Sequence, residues 1–322
     1  MNCLYCGSPI LDSSDHEEHS TGWHMSCVKK FFHTSKLPDM NISEEEMLRI
    51  ASESIDKGYT VPGVQKKLSL HLETGREPRL TMVNYPSGFI LKPQTSEYPA
   101  LPEAEHLVMQ MAARTGIKTV PFALVRLPAD QDRFAYITKR IDRIMPNKKN
   151  ETFQKLAMED FCQLDGRLTQ DKYRGSYERC AKIITQYSMN PGLDLSELFL
   201  RIVFSYLIGN SDMHLKNFSL IEEKPGSGTY VLSAAYDMLP VNIVIPQDTE
   251  QLALTLNGKK SNLYRRDFTA FAAACGIPAK SAEKMIDKIT SMQQDYVSMC
   301  RDSYLPELMI ESMEKLIKER TL

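Results

Sequence analysis

Residues 207–220 read LIGNSDMHLKNFSL, which places Asp212, His214, Lys216 and Asn217, four side chains capable of chemistry, directly behind an apolar run. A carboxylate, an imidazole, an ammonium and an amide at this spacing are compatible with a metal site, a hydrolase acid/base pair, or the phosphate end of a nucleotide-using enzyme. Phosphoryl transfer needs few parts, because it is mostly positioning and charge neutralisation. A backbone loop must lie over the phosphates, a lysine must hold them, a carboxylate must take the acceptor proton, and an amide with a second carboxylate must hold Mg²⁺. Each part has a candidate along the chain. Gly58 and Gly63 lie in KGYTVPGVQKKLSL, Lys92 ends FILK, Asp212 and Asn217 share one loop, and Asp237 follows YVLS. Singly these are weak signals, since a strand-ending lysine is commonly a solvated edge charge and AAYD reads equally as a helix cap. Their order is the informative feature.

The elements that must position these residues fall into two textures. LSLHL (68–72), LTMV (80–83), FILK (89–92), VPFALVRL (120–127) and FAYITKR (134–140) are short alternating or apolar runs divided by turn residues, the pattern of antiparallel strands. LPEAEHLVMQMAARTG (101–116) interrupts them as a helix, with Pro102 and glutamates in its first turn and Gly116 as its stop. After Arg140 helical periodicity dominates, with runs at 156–164, 176–188, 194–208, 266–275, 279–300 and 305–319, and two short β runs, FSLI and YVLS, between them. Asn41 or Ser43 is placed to cap a short helix after the first forty residues. The expected fold is α+β and two-lobed, like a protein kinase: a small Cys/His module (1–40), a β-rich N-lobe with one helix (41–138), and an all-helical C-lobe (139–322) whose chemistry lies in loops.

Charge excludes a global pull onto nucleic acid or anionic membrane, because 39 basic and 41 acidic residues leave a net of −2. No apolar run reaches the ~18–20 residues of a membrane span, and MNCLYCGSPI lacks the regions of a signal peptide, so a cytoplasmic protein is expected. Cys162, Cys180, Cys275 and Cys300 are scattered through helical patterns as small apolar residues. Cys3, Cys6, His24 and Cys27 instead form C-x₂-C…H-x₂-C, a spacing compatible with a structural Zn²⁺ site, the alternative being reduced cysteines in a small fold. His16, His19 and His33 leave the histidine ligand open.

The chain also resembles the HipA-like serine/threonine kinases, toxins of bacterial toxin–antitoxin systems. The resemblance runs from about Tyr59 to the C-terminus and is carried by TVPGVQKKLSL (60–70), ILKP (90–93), LPEAEHLVMQMAARTGI (101–117), ITKRIDR (137–143), MEDFCQLDGR (158–167), KYRGSYE (172–178), LIGNSDMHLKNFSL (207–220) and AAYDMLP (234–240). It implies an ATP- and Mg²⁺-dependent kinase in which Asp212 is the catalytic base and Asn217 and Asp237 are the magnesium ligands. By the same alignment Lys92 holds the nucleotide phosphates, with Glu105, favoured over Glu103, as its partner. The glycine loop (Pro62, Gly63, Val64, Gln65, Lys66, Lys67), the hinge (Lys139, Arg140, Ile141), His214, Lys216 and Tyr236 line the nucleotide. Arg140, Asp142 and Arg143 read equally as an ion-pair network, and Glu159, Asp160 and Gln163 as residues that position the catalytic loop.

Two departures qualify the resemblance. The family usually has Ser-x-Ser/Ala-Gly-x-Gln in the glycine loop, its first serine open to inhibitory autophosphorylation; here the positions read Thr60-Val61-Pro62-Gly63-Val64-Gln65. Thr60 keeps a hydroxyl, and Pro62 removes an amide donor. Only ~58 residues precede that loop, so the chain reads as a short form without the long β-rich extension. The resemblance implies a protein substrate in the translation machinery, such as an aminoacyl-tRNA synthetase, and a helix-turn-helix antitoxin that supplies any DNA contact. Competing readings are a small-molecule phosphotransferase and a pseudokinase acting as a partner-binding module.

Overall fold

The computed structural model describes residues 1–40, 67–82, 88–127, 130–144, 154–320 and 322. Thr60, Pro62, Gly63, Val64, Gln65 and Lys66, with the cap expected at Asn41 or Ser43, lie outside the described residues. The chain divides into two compact units. One comprises Met1–His106, Val120–Arg140 and Asp302–Tyr304; the other comprises Leu107–Thr119, Ile141–Arg301 and Leu305–Leu322. One boundary falls between Arg140 and Ile141, within the stretch read as the hinge.

The first unit holds an antiparallel sheet of β1 (Leu68–Glu73), β2 (Arg79–Met82), β3 (Phe89–Pro93), β4 (Phe122–Leu127) and β5 (Asp130–Lys139), in the order β2-β1-β3-β5-β4. Alternation in LSLHLE buries Leu68, Leu70 and Leu72 and exposes Ser69 and Glu73, as a strand with one covered face requires. Edge strand β4 is buried at nearly every position. The reason is the N-terminal segment: the Leu124 amide donates to the Leu4 carbonyl at 2.9 Å, which pairs an otherwise open edge.

Residues 1–40, expected as a small module ahead of the sheet, share one apolar core with it. Two short helices, α1 (His16–Thr21) and α2 (Met25–Phe32), bring Trp23, Phe31 and Phe32 against Phe89, Leu91 and Ala123. Tyr5 stacks on Trp23 at 5.8 Å, and Phe31 meets Phe89 at 5.9 Å. Helix α3 (Leu101–Thr115) follows β3 and stops before Gly116, whose φ of 94° is open to a residue without Cβ. The boundary between the units runs through this helix, after His106.

The second unit is helical around α6 (Pro191–Ile208), which is buried on every side from Leu198 to Ile208 and so forms the centre of its core. Before it come α4 (Phe161–Leu164) and α5 (Tyr177–Tyr187). After it come α7 (Val241–Val244), α8 (Arg265–Ala274), α9 (Ala279–Ser291), α10 (Gln293–Arg301) and α11 (Glu307–Glu319). The all-helical expectation needs correction. A two-strand ribbon of Arg143–Ile144 with Gln154–Lys155 and a three-stranded sheet belong to this unit. The sheet joins Met158–Asp160, Ser219–Glu222 and Tyr230–Leu232. The run 156–164 therefore begins as a strand, because Met158–Asp160 finds partners in Ser219–Ile221, and only then turns helical. The run 279–300 is likewise two helices, broken at Met292.

Candidate active site

In the first unit, Lys92 is the next-to-last residue of β3, and the register with β5 sets it opposite Tyr136. Its ammonium lies 5.3 Å from the Tyr136 ring centre and 2.6 Å from Glu105 Oε1 on α3. Both partners are buried, Lys92 to 4% and Glu105 to 0% side-chain exposure. A charge pair this dry survives only because each partner compensates the other, so it fixes where the helix lies against the sheet. Glu103 does not join it: burial pushes its carboxyl up to about 7, and its Oε2 has no hydrogen-bond partner among the described residues. Two positions apart within one helical turn, the two glutamates thus differ in environment.

The hinge residues are partly engaged within the same unit. The Lys139 amide donates to Pro121 O at 3.0 Å and the Arg140 amide to Gly88 O at 2.9 Å. The backbone donors of Lys139 and Arg140 are therefore already engaged within this unit. The Lys139 ammonium lies 3.2 Å from His33 Nε2 and 5.3 Å from the Phe31 ring centre, and burial lowers its pKa. Asp142 and Arg143, in the second unit, pair with each other at 2.5 Å, the ion-pair reading of that segment. Lys67 is half-buried just before β1.

In the second unit α6 closes at Gly209, in the left-handed region at φ 75°, and the chain turns sharply into the polar loop. That loop is braced from several sides. The Asp212 amide donates to Asn210 Oδ1 (3.2 Å), the Ser211 hydroxyl to Asp248 (2.7 Å), the Tyr177 hydroxyl to Met213 O (3.1 Å), and the Leu215 amide to Lys172 O (3.1 Å). Asn217 Nδ2 donates to the Asp212 carbonyl at 2.8 Å, so the two residues five apart are tied together and the Asn217 Oδ1 is left as an acceptor. The Asp212 carboxylate keeps 38% exposure and accepts a hydrogen bond from the Tyr173 hydroxyl. Burial, with Asp212 beside it, raises the Tyr173 pKa, so this phenol stays a donor. Tyr173 was missed as a site residue by sequence reasoning; its signal was only membership of KYRGSYE.

His214 is buried, edge-on to the Tyr173 ring at 5.0 Å, with Nε2 4.0 Å from Asp212 Oδ1. Lys216 pairs with Asp160 at 2.7 Å, and Asp160 also caps α4 in a reciprocal box with Gln163. Asp160 and Gln163 thus hold the loop through Lys216, whereas Glu159 points to solvent. The Tyr236 hydroxyl lies 2.5 Å from Ser219 Oγ and donates to Lys216 O at 3.1 Å, so it braces the same loop. Asp237 follows with φ 58°, a left-handed conformation uncommon for a residue with a side chain and concentrated at functional sites. The buried Arg201 guanidinium, donating to Ser233 O at 2.7 Å, supports the segment leading to it.

Comparison with known proteins places this geometry. The family description "HipA-like C-terminal domain" matches residues 59–296. The chain belongs to the HipA-like family. A Haemophilus influenzae protein named "Putative kinase" is 27% identical over 93% of this chain and 90% of its own length. "Putative kinase Y4dM" of Sinorhizobium fredii is 30% identical over 71% of this chain and 55% of its own length. Among solved structures, HipA of the Shewanella oneidensis MR-1 toxin–antitoxin system, in complex with HipB and operator DNA, matches with a TM-score of 0.67 at 19% identity. The match covers 83% of this chain and 69% of that one. The Helicobacter pylori proinflammatory kinase CtkA matches at 0.51 and 14% identity, over 78% of this chain and 92% of that one. This HipA-like chain therefore has a kinase-like α+β fold, and no helix of its described residues is long and apolar enough to cross a membrane.

Proposed function

We propose that this HipA-like chain is an ATP- and Mg²⁺-dependent serine/threonine protein kinase of toxin type. The observation that carries the reading is the loop in which Asn217 is bonded to Asp212, followed by Asp237 in a left-handed conformation. Hard oxygen donors suit Mg²⁺: the Asn217 Oδ1 and the Asp237 carboxylate would hold it, with the remaining positions left to phosphates and water. Bound Mg²⁺-ATP would supply the transferable phosphoryl group and neutralise its charge. Lys92, held by Glu105, binds phosphate oxygens. Asp212, its carboxylate plane set by Tyr173, orients the substrate hydroxyl and takes its proton. His214, buried against Tyr173, orients rather than transfers protons, and Lys216 and Tyr236 keep the loop in place.

The resemblance favours a substrate in the translation machinery, such as an aminoacyl-tRNA synthetase; Thr60, which keeps a hydroxyl where the family usually has serine, is the candidate for autophosphorylation. The Shewanella complex of HipA with HipB and operator DNA supports an antitoxin as partner; the family resemblance makes it a helix-turn-helix protein that supplies the DNA contact. Phosphoproteomics of cells expressing the wild type beside Asp212→Asn tests the reading. New phosphoserine or phosphothreonine sites in the wild type alone support it. Equal profiles, or transfer from labelled ATP to metabolites rather than proteins, would overturn it in favour of a partner-binding module or a small-molecule phosphotransferase.

A further inference from the structure

The Cys/His cluster lies outside the kinase machinery, and its geometry has its own logic. The ligand atoms of Cys3, Cys6, His24 and Cys27 all lie within 4.8 Å of one another. Cys6 Sγ is 3.5 Å and Cys27 Sγ 3.8 Å from His24 Nδ1. A tetrahedron built on Zn–S of about 2.3 Å and Zn–N of about 2.0–2.1 Å has N···S edges of about 3.5 Å, so these separations are those of ligands around one ion. The other histidines do not converge: His19 Nε2 lies 3.0 Å from Leu11 O, and His33 meets Lys139.

The backbone is shaped for the same purpose. Gly7 at φ 72° lets its amide return to Cys3 O at 2.9 Å, while the Cys3 amide donates to Ser8 O at 2.8 Å, a knuckle that turns both cysteines of CLYC the same way. The His24 amide donates to Cys3 Sγ at 3.5 Å, which ties the histidine backbone to the knuckle. His24 Nε2 lies 3.2 Å from the Pro9 carbonyl; a proton there leaves the Nδ1 lone pair aimed at the sulfurs, the outer bond by which metal-bound histidines are oriented. His24 also precedes α2, whose first turn delivers Cys27.

What such an ion would hold is visible in Leu4, between the two knuckle cysteines. Its carbonyl accepts the Leu124 amide at 2.9 Å. One carbonyl, fixed between two ligands, therefore pairs the open edge of strand β4.

We propose that Cys3, Cys6, His24 and Cys27 bind one tetrahedral zinc-class divalent ion, and that this ion fixes the Leu4 carbonyl that pairs edge strand β4. Four protein ligands close the coordination sphere, so the site is structural rather than catalytic. Sulfur and imidazole donors select Zn²⁺ over Mg²⁺ or Ca²⁺. The inference does not depend on the chain being a kinase.

Elemental analysis of the full chain, purified without an affinity tag, should find one zinc per chain. His24→Ala should lose it, while His16→Ala, His19→Ala and His33→Ala should keep it. Because a ligand variant can fail to fold, the wild-type chain reconstituted with Co²⁺ supplies an independent reading: intense tetrahedral visible bands with thiolate charge transfer. Chelator stripping of the wild type should speed hydrogen exchange at the Leu124 amide by about tenfold, the loss of one hydrogen bond, and added Zn²⁺ should reverse it. A chain from zinc-supplemented culture that carries no metal, or an octahedral cobalt spectrum without thiolate bands, overturns the site. Unchanged exchange at Leu124 after stripping overturns its structural role.

Discussion

Lys92 and Asp212 are the charged residues on which phosphoryl transfer would turn, and their units surround them in opposite ways. Lys92 is sealed between Glu105 and the Tyr136 ring, a pair with almost no contact with water. Asp212 stands in a loop braced by several hydrogen bonds and by the Lys216–Asp160 pair, its own carboxylate more than a third exposed. The difference matches what each must do. A lysine that binds phosphates must be held in one place, and a buried counter-charge does that through a large penalty for separation. A base must meet a protein hydroxyl, so its support comes from the backbone beneath it and from a tyrosine at its flank, leaving the carboxylate accessible. Lys92 is therefore held by a direct, buried charge pair, whereas Asp212 is held through the loop beneath it, by hydrogen bonds and one ion pair at Lys216.

The comparison breaks most visibly on turnover. Asp212→Asn should cut phosphoryl transfer by about 10²–10⁴-fold while leaving the denaturant midpoint nearly unchanged, because the group removed is exposed. Transfer from labelled ATP and an unfolding curve on the same preparation read both at once. Glu105→Gln should do the reverse in kind: it strands a buried ammonium and costs about 3–5 kcal/mol of stability, seen as a lowered urea midpoint. The double variant Lys92→Met with Glu105→Leu should recover much of that loss, since it removes both charges together; additive losses would show that the pair is not coupled. Tyr173→Phe deletes one hydrogen bond to Asp212 and should cost about tenfold in turnover with stability barely altered, checked by comparing turnover with unfolding midpoints.

The smallest effect concerns Glu103, whose folded carboxyl, at about 7, lies above its ordinary 4.5 because burial disfavours its charged form. A raised value means a contribution fully present below the unfolded pKa and lost as pH rises through about 7. Glu103→Gln should therefore raise the thermal midpoint at about pH 8 and change it little at about pH 4. Equal shifts at both values would mean that the carboxyl titrates normally in the folded chain.

Much of the fold was legible because each element carries its own local signal. The strands at 68–73, 89–93 and 122–127 alternate or run apolar, and the helix at 101–115 has its proline and glycine where the termini need them. The misreadings share a cause. Met158–Asp160 has a helix-compatible pattern, yet its partners at Ser219–Ile221 lie about sixty residues away, beyond the reach of any local periodicity. Lys92 and Glu105 were legible as types and spacing; that Glu105 rather than Glu103 closes the pair depends on which face of α3 meets the sheet. Beyond its place in KYRGSYE, Tyr173 carried no local signal, because its relation to Asp212 exists only after the loop folds against residues 172–175.

By itself the sequence determined the chemical inventory: a lysine after a strand, glutamates at a helix start, Asp-x₄-Asn, a later aspartate, and a C-x₂-C…H-x₂-C cluster. Residue types and chain order are enough for that, since they fix which groups can ionise, donate or ligate. Tertiary structure alone decided which of these groups are dry, which are braced and which converge. Burial of Glu105, the left-handed turn at Asp237 and the convergence of Cys3, Cys6, His24 and Cys27 each arise from segments distant in sequence, or from backbone held against them. Charge and coordination energies depend on distance and solvent exclusion, and neither is written in the order of residues.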